Sequence, residues 1–227
     1  IRMDTYSYPD PQFMSEWTRR VMEEYPNFNL VGEEWSVNPA IVSYWQRGKQ
    51  NYNGYVSYLP SLMDFPVQHA LAEALKDDET SWDTGWLKLY NMLALDFLYP
   101  SPENLVVFPD NHDMDRIHTQ LNQDADLTKM AVAYILTTRG VPQLYYGTEI
   151  LMHNDEAKGD HGIIRTDFPG GWAGDKTNAF TGKGLTEEQL EMQRFTKKLL
   201  NWRKNNEVIH KGKLTHYAPY KGVYVYF

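Results

Sequence analysis

Three short runs constrain this chain more than anything else in it: Ile1-Arg-Met-Asp4, Leu30-Val-Gly-Glu-Glu-Trp35 and Leu105-Val-Val-Phe-Pro-Asp-Asn-His-Asp113. Each opens as an apolar, strand-like stretch, closes on an acid and is followed by helix-like sequence. Strands alternating with helices through single short connections imply a parallel sheet. A β/α barrel presents the side chains at the carboxyl ends of such strands on one face. A doubly wound sheet fits the alternation almost as well. No Gly-rich phosphate loop follows any strand, so its nucleotide-binding form loses support. Acids delivered at strand ends suit glycoside hydrolysis, which needs a nucleophile and a general acid on opposite sides of one bond.

Periodicity places the elements between these runs. Residues 11–25 put Phe13, Met14, Trp17, Val21 and Met22 on one side and Glu16, Arg19, Arg20 and Glu23 on the other, a helical pattern. Asp10-Pro11 supplies an N-cap followed by proline at the first helical position, and Pro26 ends it. Asn38-Pro39 opens a second helix through Trp45. Residues 48–58 are polar, Tyr-rich loop. A short strand is expected at 61–65, helices at 66–75 and 86–98, a buried strand at 105–108, a helix at 127–138 and a strand at 141–146. Residues 151–183 show no clear period, and a loop of that length is usually functional or disordered. Thr186-Glu-Glu-Gln189 reads as a capping box leading an amphipathic helix to about residue 205. Beyond Gly212, aromatic and aliphatic residues alternate as in β structure. The division expected is a partial catalytic β/α barrel over residues 1–211 and the start of a β-sandwich domain over residues 212–227.

A full eight-fold barrel takes about 250 residues, and this chain has 227. Ile1 opens inside one strand-like run and Phe227 closes inside another. The sequence therefore reads as an internal stretch of a longer protein. The net charge of −8 argues against a nucleic-acid partner, since phosphate binding needs clustered Lys and Arg. There is no cysteine, which excludes disulfides and thiolate metal sites. No apolar run approaches the roughly 20 residues of a membrane span. Aromatic residues make up 14%. They fill cores, and they also offer flat faces that match the C–H face of a pyranose.

The strand ends hold the candidate chemistry. Arg2 lies two residues before Asp4, on the same face of a strand, where a guanidinium keeps the carboxylate ionised. An oriented carboxylate can attack an anomeric carbon; an ordinary ion pair is the plain alternative. Glu33 and Glu34 are neighbours and face opposite ways, so one of them alone can enter a site. A general acid there needs a raised pKa, and residues alone do not choose between the two. Asn111, His112 and Asp113 end the strongest strand. An acid there can face developing oxocarbenium charge while Asn and His bind sugar hydroxyls. A core histidine is one competing reading. A metal site begun by His112 and Asp113 is another, but the remaining histidines lack ligand spacing.

The same residues carry a family resemblance. Arg-x-Asp at residues 2–4, Gly-Glu-x-Trp at 32–35, Phe-x-x-Asn-His-Asp at 108–113 and Gly-x-Pro-x-Leu-Tyr-Tyr-Gly at 140–147 occur in that order. Together they resemble the α-amylase family of glycoside hydrolases, from about the fourth barrel strand to the eighth. Residues 165–172 and 63–66 resemble its neopullulanase and cyclomaltodextrinase branch, as found in Bacteroides-type starch utilisation. The resemblance implies Asp4 as nucleophile, Glu33 rather than Glu34 as acid/base, and Asp113 as transition-state stabiliser. It implies that Arg2 orients Asp4, that His112 and Asn111 bind the sugar, and that Asp160 and Arg165 hold the same or the next sugar. Arg116 is a further candidate for site support. The activity implied is retaining hydrolysis of α-1,4-glucosidic bonds in maltooligosaccharides, cyclodextrins or pullulan. A transglycosylase or isomerase is the alternative, and a non-catalytic sugar-binding homologue is disfavoured because all three acids are present. No cofactor is required and calcium is allowed. The expected partner is an α-glucan oligosaccharide, with a homodimer allowed for the full-length protein and a bacterial periplasmic or cytoplasmic location. One departure stands out: Ser7 and Tyr8 occupy positions where amylases often carry Lys-His.

Overall fold

The structure is a computed structural model that describes residues 1–77 and 81–227. The chain divides into two units, Ile1–Val107 with Arg139–Pro142 and Thr215–Phe227, and Phe108–Thr138 with Gln143–Leu214. The first unit holds β1 (Arg2–Met3), α1 (Pro11–Glu24), β2 (Val31–Gly32), α2 (Pro39–Tyr44), β3 (Ser61–Leu62), α3 (Phe65–Lys76), α4 (Trp86–Leu93), β4 (Val106–Val107), β5 (Val141–Pro142) and a hairpin of β6 (His216–Tyr220) and β7 (Val223–Tyr226). The second holds α5 (Ile117–Gln120), α6 (Ala125–Thr137), α7 (His161–Ile164), α8 (Glu187–Lys204) and α9 (Glu207–Lys211).

In the first unit five parallel strands follow one another in chain order. Arg2 and Met3 pair with Val31 and Gly32, which pair in turn with Ser61 and Leu62. A parallel bridge from Met63 to Val106 leads on to β4, where Val106 and Val107 pair with Val141 and Pro142. Asp64, expected inside a strand, ends it: its N still donates to Val106 O at 2.8 Å while its side chain turns to the next helix. Its carboxylate accepts from Val67 N at 3.1 Å and caps α3.

The caps follow the sequence. The Asp10 carboxylate accepts from Phe13 N at 2.8 Å, and Asn38 does the same for Ala40 N at 2.9 Å. Along α1 the buried stripe runs through Met14 and Thr18, and Trp17, Val21 and Met22 pack against the core. Phe13 is 62% exposed, contrary to expectation, because it lies one helical step, about 100°, from Met14 at the stripe's edge. The stripe covers a core of Tyr6, Leu30, Val42, Leu59, Leu62, Tyr99 and Leu105. The helix expected over 86–98 ends at Leu93, and a single tight turn follows at Asp96–Leu98. Asp96 is drawn off the helix by Arg139, which donates to it through Nε at 2.8 Å and Nη2 at 2.5 Å. Arg139 also reaches the fully buried Asp64 at 2.7 Å. One buried guanidinium thus ties the cap of α3, the turn after α4 and the approach to β5. Tyr90 of α4 packs against His216, and Trp86 against Tyr224.

In the second unit the expected capping box is complete. Gln189 N donates to Thr186 Oγ1 at 3.2 Å, and Thr186 N donates to Gln189 Oε1 at 3.0 Å. Helix α8 packs on α6 around Met192, Val132, Leu136 and Leu151. Residues 151–183 are mostly irregular apart from two short helical turns, Asp155–Ala157 and α7. No helix among the described residues is long and apolar enough to cross a membrane.

Candidate active site

The acids expected at a site fall into two clusters, one in each unit. In the first, β1 and β2 end side by side, with Met3 opposite Gly32. The next residues on each strand are Asp4 and Glu33. Arg2 stands between them: Nη1 donates to Asp4 Oδ1 at 3.2 Å and Nη2 to Glu33 Oε1 at 2.5 Å. The other Glu33 oxygen accepts from Thr5 N at 2.9 Å. Thr5 has φ +46°, a left-handed conformation that costs a β-branched residue about 1–3 kcal/mol. That bend aims its amide at Glu33. Gly32 makes the close approach possible. A side-chain carbon there would lie 2.6 Å from Leu59 Cδ2 and 2.9 Å from the Tyr6 ring.

Glu33 is 5% exposed, whereas the Asp4 side chain is 68% exposed. Burial pushes the Glu33 carboxyl above the usual range. The neighbouring Asp4 carboxylate pushes the same way, and Thr5 N and Arg2 oppose it. Two neighbouring carboxyls thus have opposite surroundings, one buried and inclined to keep a proton, the other open to solvent beside a guanidinium. That is the pattern of a general acid next to a nucleophile. Trp35 stacks on Phe65 with ring centroids 4.6 Å apart and stays 48% exposed.

The second cluster surrounds Asp113. Asn111 is 1% exposed, and its Oδ1 accepts from Asp113 N at 2.8 Å, fixing the turn. His112 Nε2 lies 3.0 Å from Asp113 Oδ2. Arg165 forms a short ion pair with Asp113 Oδ1 and donates through Nε to His112 O at 2.9 Å. His161 Nδ1 is 3.6 Å from Asp113 Oδ1. Asp160 is close in sequence, but its carboxylate caps α7, accepting from Gly162 N at 2.8 Å and Ile163 N at 3.1 Å. Arg116 is buried away from these groups, bonded to the carbonyls of Tyr146 and Ile164. Beneath the turn sits Asp110, which is fully buried. It accepts from Ile117 N at 2.6 Å, and burial pushes its carboxyl up to about 6, with Ile117 N and Arg116 opposing.

Of the residues expected at a site, Arg2, Asp4 and Glu33 meet in the first unit, and Asn111, His112, Asp113 and Arg165 meet in the second. Thr5, His161 and Asp110 were not foreseen. His161 had a signal, since it stands four residues before Arg165 and one helical turn aligns the two. Thr5 had none, because its role is an amide held by an unusual φ. Among the described residues no group of three His, Asp or Glu is placed to hold a metal ion.

Comparison with known proteins agrees with this architecture. The alpha-amylase catalytic domain family matches residues 4–198. A cyclomaltodextrin glucanotransferase from Geobacillus stearothermophilus is 32% identical over 154 residues, covering 67% of this chain and 20% of that protein. The crystal structure of an alpha-amylase from Geobacillus thermoleovorans, complexed with acarbose, matches with a TM-score of 0.75 at 24% identity, over 99% of this chain and 44% of that one. A cyclomaltodextrin glucanotransferase structure with a three-domain arrangement gives a TM-score of 0.76 at 23% identity, over 100% of this chain and 41% of that one. The chain thus spans about a fifth of the curated relative and under half of the solved ones. With the matched family model spanning most of the sequence, this chain belongs to the alpha-amylase catalytic domain family, whose fold is a β/α barrel.

Proposed function

We propose that the full-length protein carrying this chain is a retaining glycoside hydrolase. It cleaves α-1,4-glucosidic bonds in maltooligosaccharides, cyclodextrins or pullulan, in the manner of neopullulanases and cyclomaltodextrinases. Asp4 attacks the anomeric carbon while Glu33 protonates the departing glycosidic oxygen, giving a covalent glycosyl-enzyme. Glu33 then takes a proton from the incoming water, which releases the sugar with its configuration retained. Asp113 steadies the oxocarbenium charge and grips sugar hydroxyls with His112. Arg165 and Asp160 hold the same or the next sugar. In this reading β1 to β5 are the fourth to eighth barrel strands, and residues 212–227 begin a C-terminal β domain.

The observation that carries the reading is the Asp4–Glu33 pair. Both carboxylates are held by the one Arg2 guanidinium, at 3.2 Å and 2.5 Å, which supports the close pair of a retaining enzyme rather than the spacing of about 6.5–9.5 Å at which an inverting pair holds a water between its carboxyls. Replacing Asp4 with Asn tests it: turnover of maltotriose should vanish, and substantial activity would remove Asp4 from its role.

A second reading, transglycosylation, is favoured by one observation. Several of the curated relatives are cyclomaltodextrin glucanotransferases. The acids and the first step are the same; the acceptor is then a sugar hydroxyl rather than water. Products longer than maltotriose, formed from maltotriose itself, would favour transfer. Glucose and maltose alone would favour hydrolysis.

A further inference from the structure

Arg165 can hold Asp113 only if its own backbone is fixed, because a long side chain amplifies any movement of its base. The carbonyls on either side of Arg165 are both engaged. Ile164 O accepts from Arg116 Nη2 at 2.9 Å and from the Tyr145 hydroxyl at 3.4 Å. Thr166 O accepts from the Tyr146 hydroxyl at 2.8 Å. The three donors are themselves locked together. Arg116 Nη1 donates to Tyr146 O at 2.7 Å. Its guanidinium lies over both tyrosine rings, 4.5 Å from the centroid of Tyr145 and 5.1 Å from that of Tyr146. The backbone of Arg116 is held as well, its N donating to Asn154 Oδ1 at 2.9 Å.

Arg116 is 1% exposed. Burying a guanidinium costs several kcal/mol unless its charge and donors are met. Here two carbonyls take Nη1 and Nη2 and the ring faces meet the charge; among the described residues no carboxylate is bonded to it, and the buried Nε has no hydrogen-bond partner. A simple core would fill the space more cheaply with an apolar side chain. What the arrangement provides is a fixed backbone on both flanks of one residue.

We propose that Arg116, Tyr145 and Tyr146 are positioning residues. They form a clamp that sets the backbone of Arg165 so that its guanidinium holds the Asp113 carboxylate in one orientation. The effect on turnover rests on the functional reading above; the clamp itself does not.

Tyr146→Phe is the sharpest probe, since it removes one hydroxyl and keeps the ring over Arg116. In the full-length protein, kcat/KM for maltotriose should fall about fivefold, the size of one lost hydrogen bond, with the melting temperature lowered by no more than about 4 °C. In an Arg165→Met background the same substitution should have no further effect, because the path to Asp113 is already cut. Equal losses in both backgrounds would overturn the proposal. A second measurement needs no substrate. Amide hydrogen exchange over residues 162–168 should quicken in Tyr146→Phe while other segments keep their protection, and unchanged exchange there would overturn the clamp. Arg116→Lys keeps the charge but cannot serve both carbonyls, so it should repeat both signatures. If the functional reading fails, wild-type protein will not turn over maltotriose while the exchange result stands.

Discussion

The two acid clusters are built by different means. Asp4 and Glu33 are neighbours because β1 and β2 are neighbours; two strands in register deliver both acids, and the turn after β1 adds the Thr5 amide. Asp113 obtains Arg165 from 52 residues further along the chain, at the end of the four-residue helix α7 in a largely irregular segment. The first cluster has its geometry written into a ladder. The second depends on hydrogen bonds between side chains and loop backbone. A strand-end site should therefore tolerate changes around it but not in it, whereas the Asp113 site should also be sensitive to residues that never meet a sugar.

The largest effect expected lies in the first cluster. On the roles proposed above, Asp4→Asn should lower kcat about 10⁴-fold or more, as removal of a nucleophile does. Glu33→Gln should lose about 10²–10⁴-fold on maltotriose and much less on an aryl glycoside whose leaving group needs no proton. The pH profile sharpens this. Glu33 must be protonated to act as acid, and its carboxyl is raised by burial and by Asp4. The basic limb of kcat/KM should accordingly fall above the usual glutamic acid range, and Glu33→Gln should flatten it. A limb unchanged in that variant would separate Glu33 from acid catalysis.

Beneath those effects come the supports of each unit. Arg139→Met in the first unit strands Asp64 without its buried partner and should destabilise by about 3–5 kcal/mol in urea unfolding. In the second unit Asp110 gives a pH test. Its folded pKa is raised from 3.8 to about 6, so the folded state binds the extra proton. The stability from this group is present below about pH 4 and is lost as pH rises through about 6, roughly 3 kcal/mol in all. Asp110→Asn keeps an acceptor for Ile117 N and does not titrate. Relative to that variant, the wild type should weaken between pH 4 and pH 7; a constant difference would contradict the assignment. The smallest change expected is Thr186→Ala, about 1 kcal/mol from the lost cap of α8, with activity untouched.

The helices were legible because their starts are chemical. Asp10, Asn38 and Thr186 announce themselves by residue type and spacing, and each caps its helix. The strand order was legible through its apolar runs, though the ladders proved shorter than those runs. Asp4 and the Glu33–Glu34 pair could be read because a strand's end is a sequence position, and the family resemblance chose Glu33 of the two. The surroundings of Asp113 could be read only in part. Asn111 and His112 adjoin it in sequence, but no periodicity links it to His161. Nor could spacing reveal that Tyr145 and Tyr146 would use their hydroxyls on the backbone beside Arg165. Asp96 shows the same limit, since the helix expected through it is interrupted by a guanidinium 43 residues away.

Gly32 has a practical consequence for anyone who would vary the sequence around Glu33. Libraries that randomise the neighbourhood of Glu33 will find this one position closed, because even a methyl group would strike Leu59 and Tyr6. Diversity has to enter instead from positions with room for it, such as Trp35, which is 48% exposed.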